Sequence, residues 1–303
     1  GPLIAGPPRP IPAHAAILPD LVAWADQIDG LAISGVSAED LAGLLIHSRH
    51  LQSIARAQQE AILPILNGTG AAIIDAAVNT LFDVADTAAD DAAMMAAIRH
   101  LRQRSGLATA LADLANKADV GTQMNWLSTA ADAAIAATVR YLFRQAAARG
   151  LVLPDCTGQR GCGWTILALG KLGASELNYS SDVDMIILHD PENNALTNPE
   201  TSQTFFVDLT RHLVSLLSSA TRDGIGWRVD LRLRPDPGAT AVSIQREAAI
   251  GYYESIARTW ERAAFIRARP VAGDIEMGSA FLADLQPFIW RRTLDFTVLD
   301  DMA

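Results

Sequence analysis

Residues 167–188 constrain this chain more than any other stretch. Leu167-Ala168-Leu169 close an apolar run, Gly170-Lys171-Leu172-Gly173 form a glycine turn carrying a lysine, and Asp182-Val183-Asp184 lead into a second apolar run, Met185-Ile186-Ile187-Leu188. The run from Trp164 to Leu169, bounded by glycines, fits a buried central strand. Side chains alternate along a strand, so Asp182 and Asp184 share one face, ~7 Å apart, while Val183 takes the other. Carboxylates at the mouth of a buried strand need something to hold. A divalent ion suits them, because Mg²⁺ takes a few carboxylates together with phosphate oxygens.

A third carboxylate is expected from a neighbouring strand, and Trp227-Arg228-Val229-Asp230-Leu231-Arg232-Leu233-Arg234-Pro235 offers one. Its alternation puts Val229, Leu231 and Leu233 toward a core, and Arg228, Asp230, Arg232 and Arg234 on the opposite face. Taken alone, this is equally an exposed amphipathic strand of alternating ion pairs. Beside Asp182 and Asp184, an acid among three cations reads as a phosphate-handling surface next to a metal ligand. The turn Gly170–Gly173 supplies backbone N–H groups and the Lys171 ammonium, and glycine lets a backbone approach phosphate closely. It lacks the G-x-x-x-x-G-K-[ST] spacing of a Walker loop. Ser180 and Ser181 stand ready to donate hydrogen bonds to phosphate oxygens.

The rest of the chain sets the limits. At 303 residues, half of them hydrophobic, a sizeable core is possible. A net charge of −10 argues against nucleic acid as partner, since phosphate backbones are gripped by Lys/Arg surfaces. Cys156 and Cys162 match no zinc spacing, and two cysteines in a chain of this length point to a reducing compartment over a disulfide across their short loop. No run reaches the ~18 uninterrupted apolar residues of a membrane span, and no secretory signal is present, so a cytoplasmic protein without a membrane partner is expected.

Residues 1–12, rich in proline, are expected to be a disordered or tag-derived tail. Residues 13–150 read as helical throughout: Pro19-Asp20 and Ser37-Ala38-Glu39-Asp40 suit helix starts, Pro64 is placed to end or kink a helix, and Leu107, Leu111, Leu114 and Ala115 mark an apolar face. His47 and His50 read as surface or interface histidines, and the acidic run at 86–91 as a solvated face. Composition shifts at 151–163, which is taken as the domain boundary. A catalytic core is expected over 151–275, with a long amphipathic helix over 200–220 and mostly helix over 247–269, where Trp260, Glu261, Arg267 and Arg269 are candidates to line the site. Residues 276–303 would begin a further helical segment.

Gly170-Lys171-Leu172-Gly173, Glu176-Leu177-Asn178-Tyr179-Ser180-Ser181-Asp182-Val183-Asp184, Arg228–Pro235 and Trp260-Glu261-Arg262 together resemble the glutamine synthetase adenylyltransferase/deadenylylase family over about residues 163–274. The resemblance implies an α+β, nucleotidyltransferase fold (DNA polymerase beta-like): a mixed sheet with flanking helices behind a large all-helical region. It implies two Mg²⁺ ions on Asp182, Asp184 and Asp230, with Gly170, Lys171, Gly173, Ser180, Ser181, Arg232 and Arg234 around the nucleotide and phosphate. Arg234-Pro235-Asp236-Pro237-Gly238-Ala239-Thr240 and the run from Trp260 to Asp274 look more like the adenylyl-removing half. The implied reaction is phosphorolysis: adenylylated glutamine synthetase and orthophosphate giving free tyrosine and ADP, with the PII signal protein and glutamine regulating the full-length enzyme. Adenylyl transfer from ATP to the tyrosine, and a nucleotide-binding fragment that turns over poorly, stay open. Ala174 departs from the family's more frequent glycine, and Pro237-Gly238-Ala239-Thr240 from a more glycine-rich turn; neither is a proposed metal ligand.

Overall fold

The computed structural model describes residues 19–31, 35–192, 194–255 and 259–290, with the side chains of 259 and 260 left aside. The expected tail at 1–12 and residues 291–303 lie outside the described residues. The chain divides into two compact units, Gly1–Asn79 with His100–Ala130, and Thr80–Arg99 with Ala131–Ala303. The sheet unit therefore also takes in helical residues on the N-terminal side of 151–163.

The first unit is helical. It holds Pro19–Ala25 (α1), Ala38–Leu45 (α2), Arg49–Ala57 (α3) and parts of Gly70–Thr87 (α4), Asp91–Leu114 (α5) and Val120–Ala148 (α6). Ser37 caps α2: its hydroxyl accepts from the Asp40 amide at 3.0 Å, and the Asp40 carboxylate accepts from the Ser37 amide at 3.3 Å. Leu41, Leu45, Ile62, Ile65, Leu107 and Leu111 are fully buried in its core. Leu114, expected on the same face, is 42% exposed because α5 ends there. The stretch Gln59–Thr87 has a membrane helix's length and a hydropathy of 1.6. The α-helical segment Ile62–Pro64 ends at Pro64 and passes into a π-helical turn, Ile65–Thr69, whose path breaks at Gly68, φ +87°, and Ile62, Ile65, Leu66 and Ile74 pack into the core.

The second unit is built on a mixed sheet, which makes the protein α+β. Its strands are Trp164–Ala168 (β1), Val183–His189 (β2), Val229–Asp230 (β3), Ile244–Gln245 (β4) and Arg269–Gly273 (β5). The order is β3-β2-β1-β5, with β4 also pairing β2. β1 runs antiparallel to β2 and β5, while β3 and β4 run parallel to β2. Gly170–Gly173 (α7) follows β1 as a single helical turn. The amphipathic helix is Ser202–Ser218 (α8), whose Phe206, Leu213, Leu216 and Leu217 are fully buried. Phe206 stacks on Trp164 of β1 with centroids 6.5 Å apart. Cys156 and Cys162 are unbridged.

Two expectations need correction. The strand expected over 227–235 lasts only two residues, because the Asp230 carboxylate accepts from the Arg232 amide at 2.8 Å and turns the chain out of the sheet. Helix expected over 247–269 is Arg246–Ser255 (α9) and Thr259–Phe265 (α10), and Arg269 opens β5. β5 lies at a sheet edge and its register against β1 shifts at Ile166/Leu167, opposite Pro270. That is where a strand tolerates proline. Helices Ile275–Asp284 (α11) and Gln286–Ile289 (α12) follow, adding Phe281, Leu285 and Phe288 to a second core with Leu167, Ile186 and Leu188.

Candidate functional site

β2 and β3 bring the acids together. Their parallel register pairs Val183 with Val229 and Asp184 with Asp230, so the two carboxylate-bearing residues are direct neighbours at the strand spacing of ~4.8 Å. Asp182 lies just before β2, near enough for its charge to bear on Asp184. Gly170 opens α7 with φ +54°, and a Cβ there would stand 2.5 Å from Asp184 Oδ2. The glycine thus leaves the space that this carboxylate fills.

The acids differ in their surroundings. Burial, then the neighbouring Asp230 and Asp182 charges, push the Asp184 carboxyl above its ordinary value, and Arg232 and Lys171 only partly offset this. Hydrogen bonds from Arg232 hold the Asp230 carboxyl below the usual carboxylate range. The Arg232 guanidinium reaches Asp230 Oδ2 at 2.5 Å while remaining largely exposed. Arg228 donates to Asp182 Oδ1 at 2.5 Å and to the Ser180 carbonyl at 2.6 Å. Asp184 is the acid these arginines leave without an ion pair of its own within 4 Å among the described residues.

Hard carboxylate oxygens on adjoining strand positions are the donor chemistry a divalent cation such as Mg²⁺ takes, and the mutual repulsion at Asp184 is what a cation would relieve. Asp182 and Asp230 are each drawn to an arginine. Among the described residues no three acidic, histidine or cysteine side chains form one tight nest.

The other predicted residues divide. Lys171 is exposed on α7, beside the acids. Gly173 is fixed by packing: a Cβ would meet the Arg267 carbonyl at 2.5 Å and the Ala168 carbonyl at 2.8 Å. Ser180 and Ser181 belong to a turn held by Asn178, whose Oδ1 accepts from the Ser180 amide at 3.2 Å and the Ser181 hydroxyl at 2.7 Å. Arg234, predicted at the phosphate, donates instead to the carbonyls of Leu231 and Pro237 at 2.8 Å and Thr240 at 3.4 Å. The turn begun by Asp230 takes it off the expected strand face, so it organises its own loop. Glu261 accepts from the Tyr252 hydroxyl at 3.1 Å, and the Trp260 side chain lies outside the description.

Sequence reasoning passed over Asp132, a single acid in the alanine-rich helix α6, which binds Arg269 at 2.8 Å; no periodicity or motif distinguishes it. A hollow of about 470 Å³ lined by Phe82, Val139, Arg140, Gly158 and Ile275 contains none of the predicted residues. The acids lie instead where β2 meets the edge strand β3.

These features define an α+β protein with a carboxylate pair at the edge of a mixed sheet, flanked by a lysine-bearing glycine turn. The chain belongs to the glutamate-ammonia ligase adenylyltransferase family, whose model matches residues 38–284 and so includes most of the helical lead. Similar curated proteins are bifunctional glutamine synthetase adenylyltransferase/adenylyl-removing enzymes. That of Xanthobacter autotrophicus is 42% identical over 264 residues, 86% of this chain and 26% of the relative. Those of Bradyrhizobium diazoefficiens and Rhizobium meliloti are each 38% identical, over 91% and 96% of this chain. The chain spans 26–30% of these relatives' lengths.

Proposed function

We propose that this chain carries a nucleotidyltransferase fold that removes AMP from a tyrosine of glutamine synthetase by phosphorolysis. The observation that carries the reading is the register pairing of Asp184 with Asp230, with Gly170 making room for the Asp184 carboxylate. Asp182, Asp184 and Asp230 are the residues that would hold two Mg²⁺ ions. Bound there, the ions supply charge neutralisation for the phosphoryl oxygens and for the entering and leaving oxygens.

The chain's own residues do the rest. Lys171 and the backbone of α7 orient the phosphates, and the exposed Arg232 guanidinium meets the incoming orthophosphate beside Asp230. An oxygen of orthophosphate forms a bond to the α-phosphorus as the bond to the tyrosine oxygen breaks. The phenolate leaves with the electron pair and is protonated by water, giving ADP and free tyrosine. With an ordinary phenol pKa of ~10, the leaving group needs charge stabilisation more than a strong general acid. The names of the relatives supply glutamine synthetase as partner, the resemblance in 234–240 and 260–274 supplies the direction, and the cytoplasm is where that partner would be met.

The test is to offer adenylylated glutamine synthetase with phosphate and Mg²⁺, and separately the unmodified enzyme with ATP. Release of ADP in the first assay is expected. AMP incorporation in the second, without ADP in the first, overturns the direction, and nucleotide binding with neither product overturns the assignment as an enzyme.

A further inference from the structure

The glycine turn beside Asp184 is held from behind. Antiparallel pairing of β5 with β1 sets Arg269 opposite Ala168, two residues before Gly170. From there the Arg269 guanidinium donates through Nη2 to the Leu172 carbonyl at 2.9 Å and through Nε to the Gly173 carbonyl at 3.2 Å. The same Nη2 meets both oxygens of Asp132, at 2.8 and 3.1 Å. Asp132 comes from α6, far away in sequence, and burial pushes its carboxyl above the ordinary value while Arg269 pulls it back. The ion pair is mostly shielded, with side-chain exposures of 31% and 29%.

The turn has little freedom elsewhere. Gly173 abuts the Arg267 and Ala168 carbonyls, and Gly170 abuts Asp184. The guanidinium is the group that ties the turn's C-terminal carbonyls to a second element of the same unit. We propose that Arg269, anchored by Asp132, is a positioning residue that sets the orientation of the turn and hence the placement of Lys171 and Gly170 against Asp184. This rests on the reading of Asp182, Asp184 and Asp230 as the nucleotide and metal face. Arginine is required because its rigid planar fork serves two carbonyls and a carboxylate at once, whereas lysine is a point charge on a flexible stem. The helical lead therefore contributes to the site through Asp132 without touching substrate.

The experiment titrates ADP with Mg²⁺ into the full 303-residue chain by calorimetry, for wild type, Arg269→Lys, Asp132→Asn and Asp184→Asn, with thermal melting of each. Arg269→Lys keeps the charge pair with Asp132. It is expected to melt within a few degrees of wild type yet bind about tenfold more weakly, within the range for losing a group that orients a ligand-bearing element. In turnover, kcat is expected to fall while KM for the adenylylated protein holds. Asp132→Asn follows in the same direction with a smaller loss. Wild-type affinity and kcat in Arg269→Lys, with Asp184→Asn impaired, overturn the positioning role and leave the site reading standing. Affinity in both Arg269 and Asp132 variants that falls only in proportion to the unfolded fraction also overturns it. Wild-type affinity in Asp184→Asn, or no binding by wild type, overturns the site reading itself.

Discussion

Asp184 opens the second strand, one residue after its start, and His189 closes it. Both groups are disfavoured in their charged forms by burial, which raises the Asp184 carboxyl and lowers the His189 imidazole to about 4. Their neighbours treat that cost in opposite ways. His189 is fully buried, stacks on Phe206 with centroids 5.3 Å apart and has Nδ1 2.9 Å from the Ser243 hydroxyl. Uncharged, its ring is packed and its Nδ1 is paired, while the buried Nε2 has no hydrogen-bond partner among the described residues. Asp184 sits beside two further carboxylates that add repulsion to burial. One end of the strand packs a neutral ring with no like charge against it, and the other keeps an anion beside two more carboxylates. Unrelieved cost of that kind is what sites trade for function.

Replacing Asp184 with Asn is the largest expected break in the comparison. Turnover should fall by about 10³-fold, the scale of losing a group that stabilises transition-state charge. Stability should move the other way. A carboxyl whose folded pKa lies above the unfolded value stabilises fully below the unfolded value and loses that contribution as pH rises through the folded one. The variant should therefore melt above wild type at neutral pH without divalent ions, with the gap closing toward pH 3. Millimolar Mg²⁺ should raise the melting temperature of wild type and leave the variant nearly unmoved. A variant that melts lower at neutral pH would mean that the Asp184 carboxylate is held at no net cost.

Gly170→Ala sharpens the same end. At φ +54° a non-glycine residue costs about 1–2 kcal/mol, and the added methyl meets the Asp184 carboxylate at 2.5 Å. The short aspartate must move, so kcat should drop by about 10²-fold, as for a displacement near 1 Å. Denaturant melts and single-turnover rates check the two parts separately. Loss of stability without loss of rate would show that the carboxylate placement is not under tight control.

Much of this strand was legible because its signals are local. Alternation put Asp182 and Asp184 on one face, and the apolar run from Met185 to Leu188 set the buried course. The third acid was legible as a residue but not as a strand, since the side chain of Asp230 itself captures the Arg232 amide and ends β3. The same event moved Arg234 from the predicted phosphate face to the carbonyls of its loop. β5 was hidden by Pro270, which reads as a strand breaker until the edge position and bulge are known. Asp132 and His189 could not be assigned from sequence because their roles depend on partners more than fifty positions away, Arg269 and Ser243.

The smallest effect belongs to His189. A histidine whose folded pKa is depressed gives stability that is fully present above its ordinary value of 6.5 and is lost as pH falls toward about 4. Wild type should thus lose melting temperature across that window, because acid must charge an imidazole packed against Phe206. His189→Gln keeps a hydrogen-bonding group near Ser243 but does not titrate there, so its melting temperature should fall less steeply between pH 6.5 and 4. At neutral pH the variant should melt somewhat below wild type, because the amide replaces the ring stacked on Phe206, and kcat there should be nearly unchanged. A parallel decline of both proteins through the window would place their acid sensitivity in the carboxylates. A large fall in kcat at neutral pH would show that this end of the strand is coupled to Asp184 after all.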